Sequence, residues 1–225
     1  MCKLFWDERS STYNQDFASS NVRYMAFDWI IDQIPHEPHQ NIIDVGCGTG
    51  LLAHRIKNID KRYKITLVDQ SIGMLNESRT LLSKFSNIKF IKANFENLSE
   101  IASNSIDIYI TSFALHHIQD DLKKKALDEA YRVLSSTGTI LIVDEIICDA
   151  SIEACPEKLF LIMLSIFYPN ESVLKMRKRF RSFKEYPTSL EKMGSLLNNS
   201  GFETDFIIIN PIVAFIKGKK KSYVN

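Results

Sequence analysis

The segment Ile42-Ile43-Asp44-Val45-Gly46-Cys47-Gly48-Thr49-Gly50 limits the possible folds of this chain more than any other stretch. An apolar run ends in an acidic residue, three glycines then alternate with small residues, and a helix-like segment begins. This order describes a buried parallel strand that stops at a turn where the backbone must be bare. A Cβ at Gly46 or Gly48 would push a flat ligand away, and glycine reaches backbone angles that other residues avoid. Nineteen positions after Gly50, a second apolar run, Ile65-Thr66-Leu67-Val68, ends at Asp69. That carboxylate is suited to accept hydrogen bonds from the two hydroxyls of a ribose. Taken together, the two strand ends predict a nucleoside-containing cofactor lying across neighbouring strands. A generic tight turn is the plainer reading of the glycines alone.

The rest of the chain alternates in the same way. Residues 1–37 read as helices, with Val22, Met25, Ala26, Trp29, Ile30 and Ile34 at helical spacing and Pro35 and Pro38 closing the segment. Strands are expected at 42–45, 64–68, 87–93, 105–112 and 139–146, and helices at 51–58, 72–84 and 120–134, with Ser71 capping the second of these. Continuous apolar strands separated by helices mean a parallel sheet covered on both faces. The pattern breaks at 148–187, a helical stretch rich in aromatic and basic residues. A helix over 190–199 follows, then an antiparallel hairpin, 202–209 and 212–217, turning at Asn210-Pro211. The tail Lys217-Gly218-Lys219-Lys220-Lys221 is expected to fray.

At 225 residues the chain fits one domain of ordinary size. A formal charge of +1 gives no global attraction to nucleic acid or an anionic membrane, so any basic surface must be local. The cysteines Cys2, Cys47, Cys148 and Cys155 show no C-x-x-C spacing and suit a reducing cytosol. The first residues are too acidic for a signal peptide. The longest apolar stretch, Leu159 to Phe167, is nine residues and cannot span a bilayer. The expectation is a cytoplasmic, soluble protein.

The chain resembles the class I S-adenosylmethionine-dependent methyltransferases, closely over 40–147 and in outline over 188–217. That family's acidic-x-Gly-x-Gly-x-Gly turn is matched by Asp44, Gly46, Gly48 and Gly50, and its acidic residue after the second strand by Asp69. After the third strand it places an Asp on the adenine amino group; here Asn94 stands there and retains an acceptor oxygen, with Phe95 beside the base. Ser112-Phe113-Ala114-Leu115-His116-His117-Ile118 is similar to its segment after the fourth strand, and Tyr131-Arg132-Val133-Leu134 with Gly138 to its fifth unit. The resemblance implies a Rossmann-like α/β fold, with a mostly parallel seven-stranded sheet, helices on both faces and a C-terminal antiparallel hairpin. It implies a single domain over 1–225, with 1–37 a helical lid and 148–187 a helical insert that binds the acceptor. S-adenosylmethionine is the implied cofactor, held by Tyr13, Asp44, Gly46, Cys47, Gly48, Gly50, Asp69, Gln70, Met74, Asn94, Phe95 and Ser112. The nicotinamide fingerprint G-x-G-x-x-G is the rival, but counting from Gly46 its third glycine falls on Leu51.

The resemblance further implies methyl transfer by in-line displacement to an O, N or C nucleophile of a small-molecule acceptor. A tRNA base or protein side chain is the alternative acceptor, and a non-catalytic cofactor-binding module is the alternative class. The leaving group is already activated, so alignment and exclusion of water are the protein's main tasks. His116 and His117 are the candidate proton acceptors. If the backbone stays extended there, only one of them faces the cleft, and His117 is preferred; a purely structural role for the pair is the competing reading. Glu145, Phe167 and Tyr168 are candidate acceptor contacts, against solvation for Glu145 and core packing for Phe167. Tyr13 either closes over the methionine end of the cofactor or packs the N-terminal helix. Lys175, Arg177, Lys178, Arg179, Arg181 and Lys184 form either a solvated face or the contact for an anionic acceptor. No metal site is legible at ligand spacing.

Overall fold

The computed structural model describes residues 2–17, 20–37, 39–153, 155–169, 172–174, 177 and 185–221. Of the basic stretch, Lys175, Lys178, Arg179, Arg181 and Lys184 lie outside the described residues, as do Phe180 and Phe183; Arg177 is described and pairs with Glu157.

Three helices open the chain: α1 (Cys2–Arg9), α2 (Tyr13–Phe17) and α3 (Asn21–Asp32). Strands β1 (Asn41–Val45), β2 (Lys64–Asp69), β3 (Ile88–Lys92) and β4 (Ile106–Ser112) then alternate with α4 (Leu51–Ile59) and α5 (Ile72–Leu81). A 3-10 turn at Leu115–His117 leads to α6 (Asp120–Val133) and β5 (Leu134–Ile147). The chain continues through α7 (Ala150–Glu153), α8 (Pro156–Phe167), β6 (Thr188–Ser189), α9 (Leu190–Asn199), β7 (Phe202–Asn210) and β8 (Val213–Lys220).

The strand order is β3-β2-β1-β4-β5-β8-β7, parallel from β3 through β5 and antiparallel at β8 and β7. This is the Rossmann-like arrangement expected from the sequence, with one addition: the two-residue β6 pairs in parallel with the end of β5, Ile146 opposite Thr188. So short a segment carries no periodicity to read. β1 lies between β2 and β4, where the strand order reverses, and its carboxyl end is therefore where an open sheet leaves a crevice.

Alternation of side chains divides the core into two layers. Ile42, Leu67, Ile110 and Val143 face α3 and α4, meeting Ala26, Ile30, Leu52 and Ile56. Ile43, Val68, Tyr109 and Ile142 face α6 and α9, meeting Ala126, Ala130, Met193 and Leu197. No helix among the described residues is long and apolar enough to cross a membrane.

From β1 onward, three of the expected strand and helix boundaries differ by more than one residue. α5 ends at Leu81 rather than Lys84, because Phe85 N–H turns back to the Leu82 carbonyl and Asn87 takes a left-handed φ of 60°. β5 starts at Leu134, ahead of Gly138, where a register shift opposite Ile106 and Ile108 lets the strand run on. The lysine tail is in β8 through Lys220, with Lys219 paired to both Thr139 and Glu203. Backbone pairing on both sides outweighs the charge, and the ammonium groups find partners: Lys217 Nζ donates to Gln33 Oε1 at 2.9 Å and Lys220 Nζ to Asn104 Oδ1 at 3.0 Å. Replacing the fully buried Ile110 of β4 by alanine is expected to lower the unfolding free energy by about 2–5 kcal/mol, read from urea denaturation.

Candidate functional site

β1 delivers the chain into the glycine turn. Gly46 N–H and Cys47 N–H both donate to the Val68 carbonyl, at 2.8 and 3.1 Å, so the turn is fastened to the end of β2. Gly46 and Gly48 are left-handed, with φ of 77° and 54°. A Cβ on Gly46 would stand 2.6 Å from Ala114 Cβ and 2.8 Å from Phe95 Cζ. A Cβ on Gly48 would meet nothing nearer than Tyr13 Cε1 at 3.8 Å, so it would project into open space over the turn. This is a cradle that side chains would fill.

Asp69 closes the turn from the β2 side. Its Oδ2 accepts from Gly48 N–H at 2.9 Å and its Oδ1 from Ser71 N–H at 2.8 Å. Burial raises its pKa to about 6, against the lowering effect of these N–H donors. Each oxygen keeps a further lone pair for a hydroxyl donor. Asp44 lies beneath the turn, 1% exposed, and neither of its oxygens has a hydrogen-bond partner among the described residues. Burial, and then the charge of Asp69, push it up to about 7.

A cavity of about 740 Å³ extends from this turn. Asp69, Gln70 and Met74 line it from the β2–α5 side, and Asn94 and Phe95 from the loop after β3. Phe113, Ala114 and His117 line it from the loop after β4, where Phe113 adopts a φ of 49°, an uncommon conformation for a bulky residue. Tyr186 enters from the segment before β6. Phe5, Trp6 and Tyr13 cover it from the N-terminal helices. Trp6 lies against His117, ring centroids 4.9 Å apart, and edge-on to Tyr13 at 5.9 Å. This cover is pinned at two points. Asp7 Oδ1 accepts from Ser71 Oγ at 2.5 Å and Gly73 N–H at 2.9 Å at the start of α5, and Asn14 Oδ1 accepts from Thr49 Oγ1 at 2.6 Å. Ser71 also caps α5 as expected, accepting from Met74 N–H at 3.1 Å.

The two histidines part company. The backbone is not extended there but coiled into the 3-10 turn, with the rings 3.8 Å apart between centroids. His116 is buried behind the wall, its Nδ1 2.5 Å from Asp144 Oδ1 and its Nε2 3.8 Å from Glu145 Oε1. Burial opposes its charge, but Glu145 and Asp144 outweigh that and raise its pKa to about 9. His117 lines the cavity; burial, and then the neighbouring His116, hold its pKa well below the ordinary imidazole value, so it is neutral.

Of the residues singled out from sequence, Tyr13, Gly46, Gly48, Asp69, Gln70, Met74, Asn94, Phe95 and His117 line one cavity. Asp44, Cys47, Gly50 and Ser112 belong to its frame rather than its lining; Cys47 Sγ, for instance, is turned to the Gly48 carbonyl at 3.6 Å. The acceptor contacts fall elsewhere. Glu145 is buried beside His116, and Phe167 packs edge-on to Phe113 at 5.5 Å in the α3–α8 core. Tyr168 lies near the buried Arg23, whose Cζ is 5.8 Å from its ring centroid. Sequence reading missed Trp6, Gln119 and Leu122 as lining residues, and Glu185 beside the histidines. Only the Phe5-Trp6 pair ahead of Tyr13 gave any signal for them.

The profile of the family described as "Methyltransferase domain" matches residues 42–138. The chain is 35% identical over 136 residues to the ubiquinone/menaquinone biosynthesis C-methyltransferase UbiE of Rickettsia prowazekii, an alignment covering 57% of this chain and 53% of that protein. It is 29% identical to UbiE of Rickettsia bellii over 92% of this chain and 79% of that one. Among solved structures, the YcgJ protein of Bacillus subtilis superposes with a TM-score of 0.69 at 17% identity, covering 88% of this chain and 99% of the other.

Asp44 and Asp69 hold protons in the folded chain between about pH 4 and 7 that they lose when unfolded, so their contribution to stability declines as pH rises through that window. The Asp44→Asn variant is expected to gain stability relative to the wild type as pH goes from 4 to 7, measured by denaturation across the range.

Proposed function

We propose that this chain is a class I S-adenosylmethionine-dependent methyltransferase, that its cavity aligns the cofactor with a small-molecule acceptor, and that methyl transfer to an oxygen, nitrogen or carbon nucleophile takes place there. The observation that carries this reading is the continuity of one cavity from the Asp69 carboxylate and the bare glycine turn to the neutral imidazole of His117.

The cofactor supplies an activated sulfonium methyl. The tasks left to the chain are binding, orientation and exclusion of water. In this reading Gly46 and Gly48 leave room for close backbone approach, and Asp69, ionised at neutral pH, accepts the ribose hydroxyls. Asn94 and Phe95 receive the adenine, while Tyr13 and Trp6 shield the methionine end. The ammonium group of the cofactor's amino-acid moiety lies over the orphaned carboxyl of Asp44 and draws it into its ionised form. His117 meets the acceptor's proton-bearing atom; His116 is a positioning residue, held by Asp144. The C-methylation named for the two UbiE relatives supports carbon as the modified atom and a quinone-like ring as the acceptor class.

Asp69→Ala is expected to weaken S-adenosylhomocysteine binding by about 1.5–3 kcal/mol, the size of a hydrogen bond to a charged group, measured by calorimetry. His117→Ala is expected to lower kcat at saturating acceptor by about 100-fold with S-adenosylhomocysteine affinity retained. The acceptor class is tested by incubating the protein with methyl-labelled S-adenosylmethionine and a cell extract. Label in the metabolite fraction supports the proposal, whereas label confined to RNA or protein overturns it.

A further inference from the structure

We propose that His116, His117 and Glu185 form a binding site for one divalent transition-metal ion in the wall of the cavity. One ligand atom from each of the three lies within 4.8 Å of the others. The geometry is not a chance of flexible side chains. Tyr186 N–H donates to the His116 carbonyl at 2.6 Å, and the buried Lys123 Nζ donates to the Tyr186 carbonyl, so Glu185 is carried to the histidines by a backbone fastened at the residue that follows it.

Three further features suit an ion there. His116 Nδ1 is engaged by Asp144 at 2.5 Å, and this leaves Nε2, 3.8 Å from Glu145 Oε1, as the ring nitrogen for an ion. A carboxylate behind an imidazole is how proteins orient a metal-binding histidine and raise its basicity. The cluster is also rich in carboxylates. Asp144, Glu145 and Glu185 lie together around His116, with the guanidinium of Arg23 acting on them. Glu145 is 7% exposed, and its Oε2 has no hydrogen-bond partner among the described residues. A divalent cation in place of the proton on His116 would meet this carboxylate charge, and a buried carboxylate oxygen left without a partner, as Oε2 of Glu145 is, is costly otherwise. Finally, two imidazoles and one carboxylate are the donor set of zinc or ferrous iron rather than of magnesium. Three protein ligands leave coordination positions for an outside molecule.

His117 also lines the cavity, so an ion held there is reached from it. An acceptor hydroxyl bound to the ion would break its O–H bond more readily, the proton leaving to solvent and the oxygen staying on the metal. On this account the imidazole acts on the acceptor through the ion; this part rests on the methyl-transfer reading, the binding site itself does not.

The test uses the untagged full chain, stripped with a chelator and titrated with ZnCl2 by calorimetry, with neither cofactor nor acceptor present. One equivalent of Zn2+ is expected to bind, with affinity reduced at least about tenfold in Glu185→Gln and in His117→Ala, and with little response to MgCl2. Melting curves of the metal-free proteins establish that the variants fold. If either does not, Co2+ bound to the wild type is expected to show visible ligand-field absorption that Zn2+ removes. No uptake of Zn2+, or equal affinity in folded variants and wild type, overturns the site. Because no methyl donor is present, that failure would leave the transferase reading standing, and failure to bind S-adenosylhomocysteine would leave the metal result standing.

Discussion

The hydrogen bond from Gly48 N–H to Asp69, beside those of Gly46 and Cys47 N–H to the Val68 carbonyl, joins the two halves on which the rest of the site is arranged. It ties the turn after β1 to the end of β2, and the same carboxylate reaches Ser71 to set the start of α5. With the turn fixed there, Gly46 comes close to Ala114 and Phe95, so the loops after β3 and β4 are drawn in against the same glycines. The N-terminal helices depend on it in turn, since Asp7 anchors to Ser71 and Gly73, and Asn14 to Thr49 within the turn. A carboxylate in so buried a position is costly, and the raised pKa of both Asp69 and Asp44 records that cost.

What could be read from the sequence was what is local. The apolar runs of β1, β2, β4 and β5, the glycine spacing and the Ser71 cap all express short-range rules, and each stands where those rules put it. That Gly46, Gly48, Asp69 and Asn94 would gather at one cavity was legible because they sit at strand ends, whose position follows from the strands themselves. What escaped depends on tertiary placement. The order Phe167-Tyr168 left both acceptor contact and core packing open for Phe167, and only tertiary placement puts it in the α3–α8 core. Nothing near Glu145 tells that Glu185, forty positions on, lies in the same buried cluster. The tail lysines read as frayed because charge was weighed without the pairing that β5 and β7 offer β8.

The adjacent histidines show how one residue step separates two tasks. Coiling at Leu115–His117 turns His116 inward to Asp144 and leaves His117 on the cavity wall under Trp6. Opposite protonation follows from this placement alone: carboxylates hold a proton on the first ring, and that charge helps strip it from the second. Two identical side chains therefore offer one donor and one lone pair within a few ångströms.

The cavity draws its walls from positions 5, 46, 69, 95, 117 and 186, stretches of chain that meet only through the assembled sheet. No excised peptide or half-sheet would reproduce it. Occupancy and global folding are consequently a single coupled equilibrium: whatever fills this space protects every strand pairing at once, and damage to a distant strand is felt as weakened affinity.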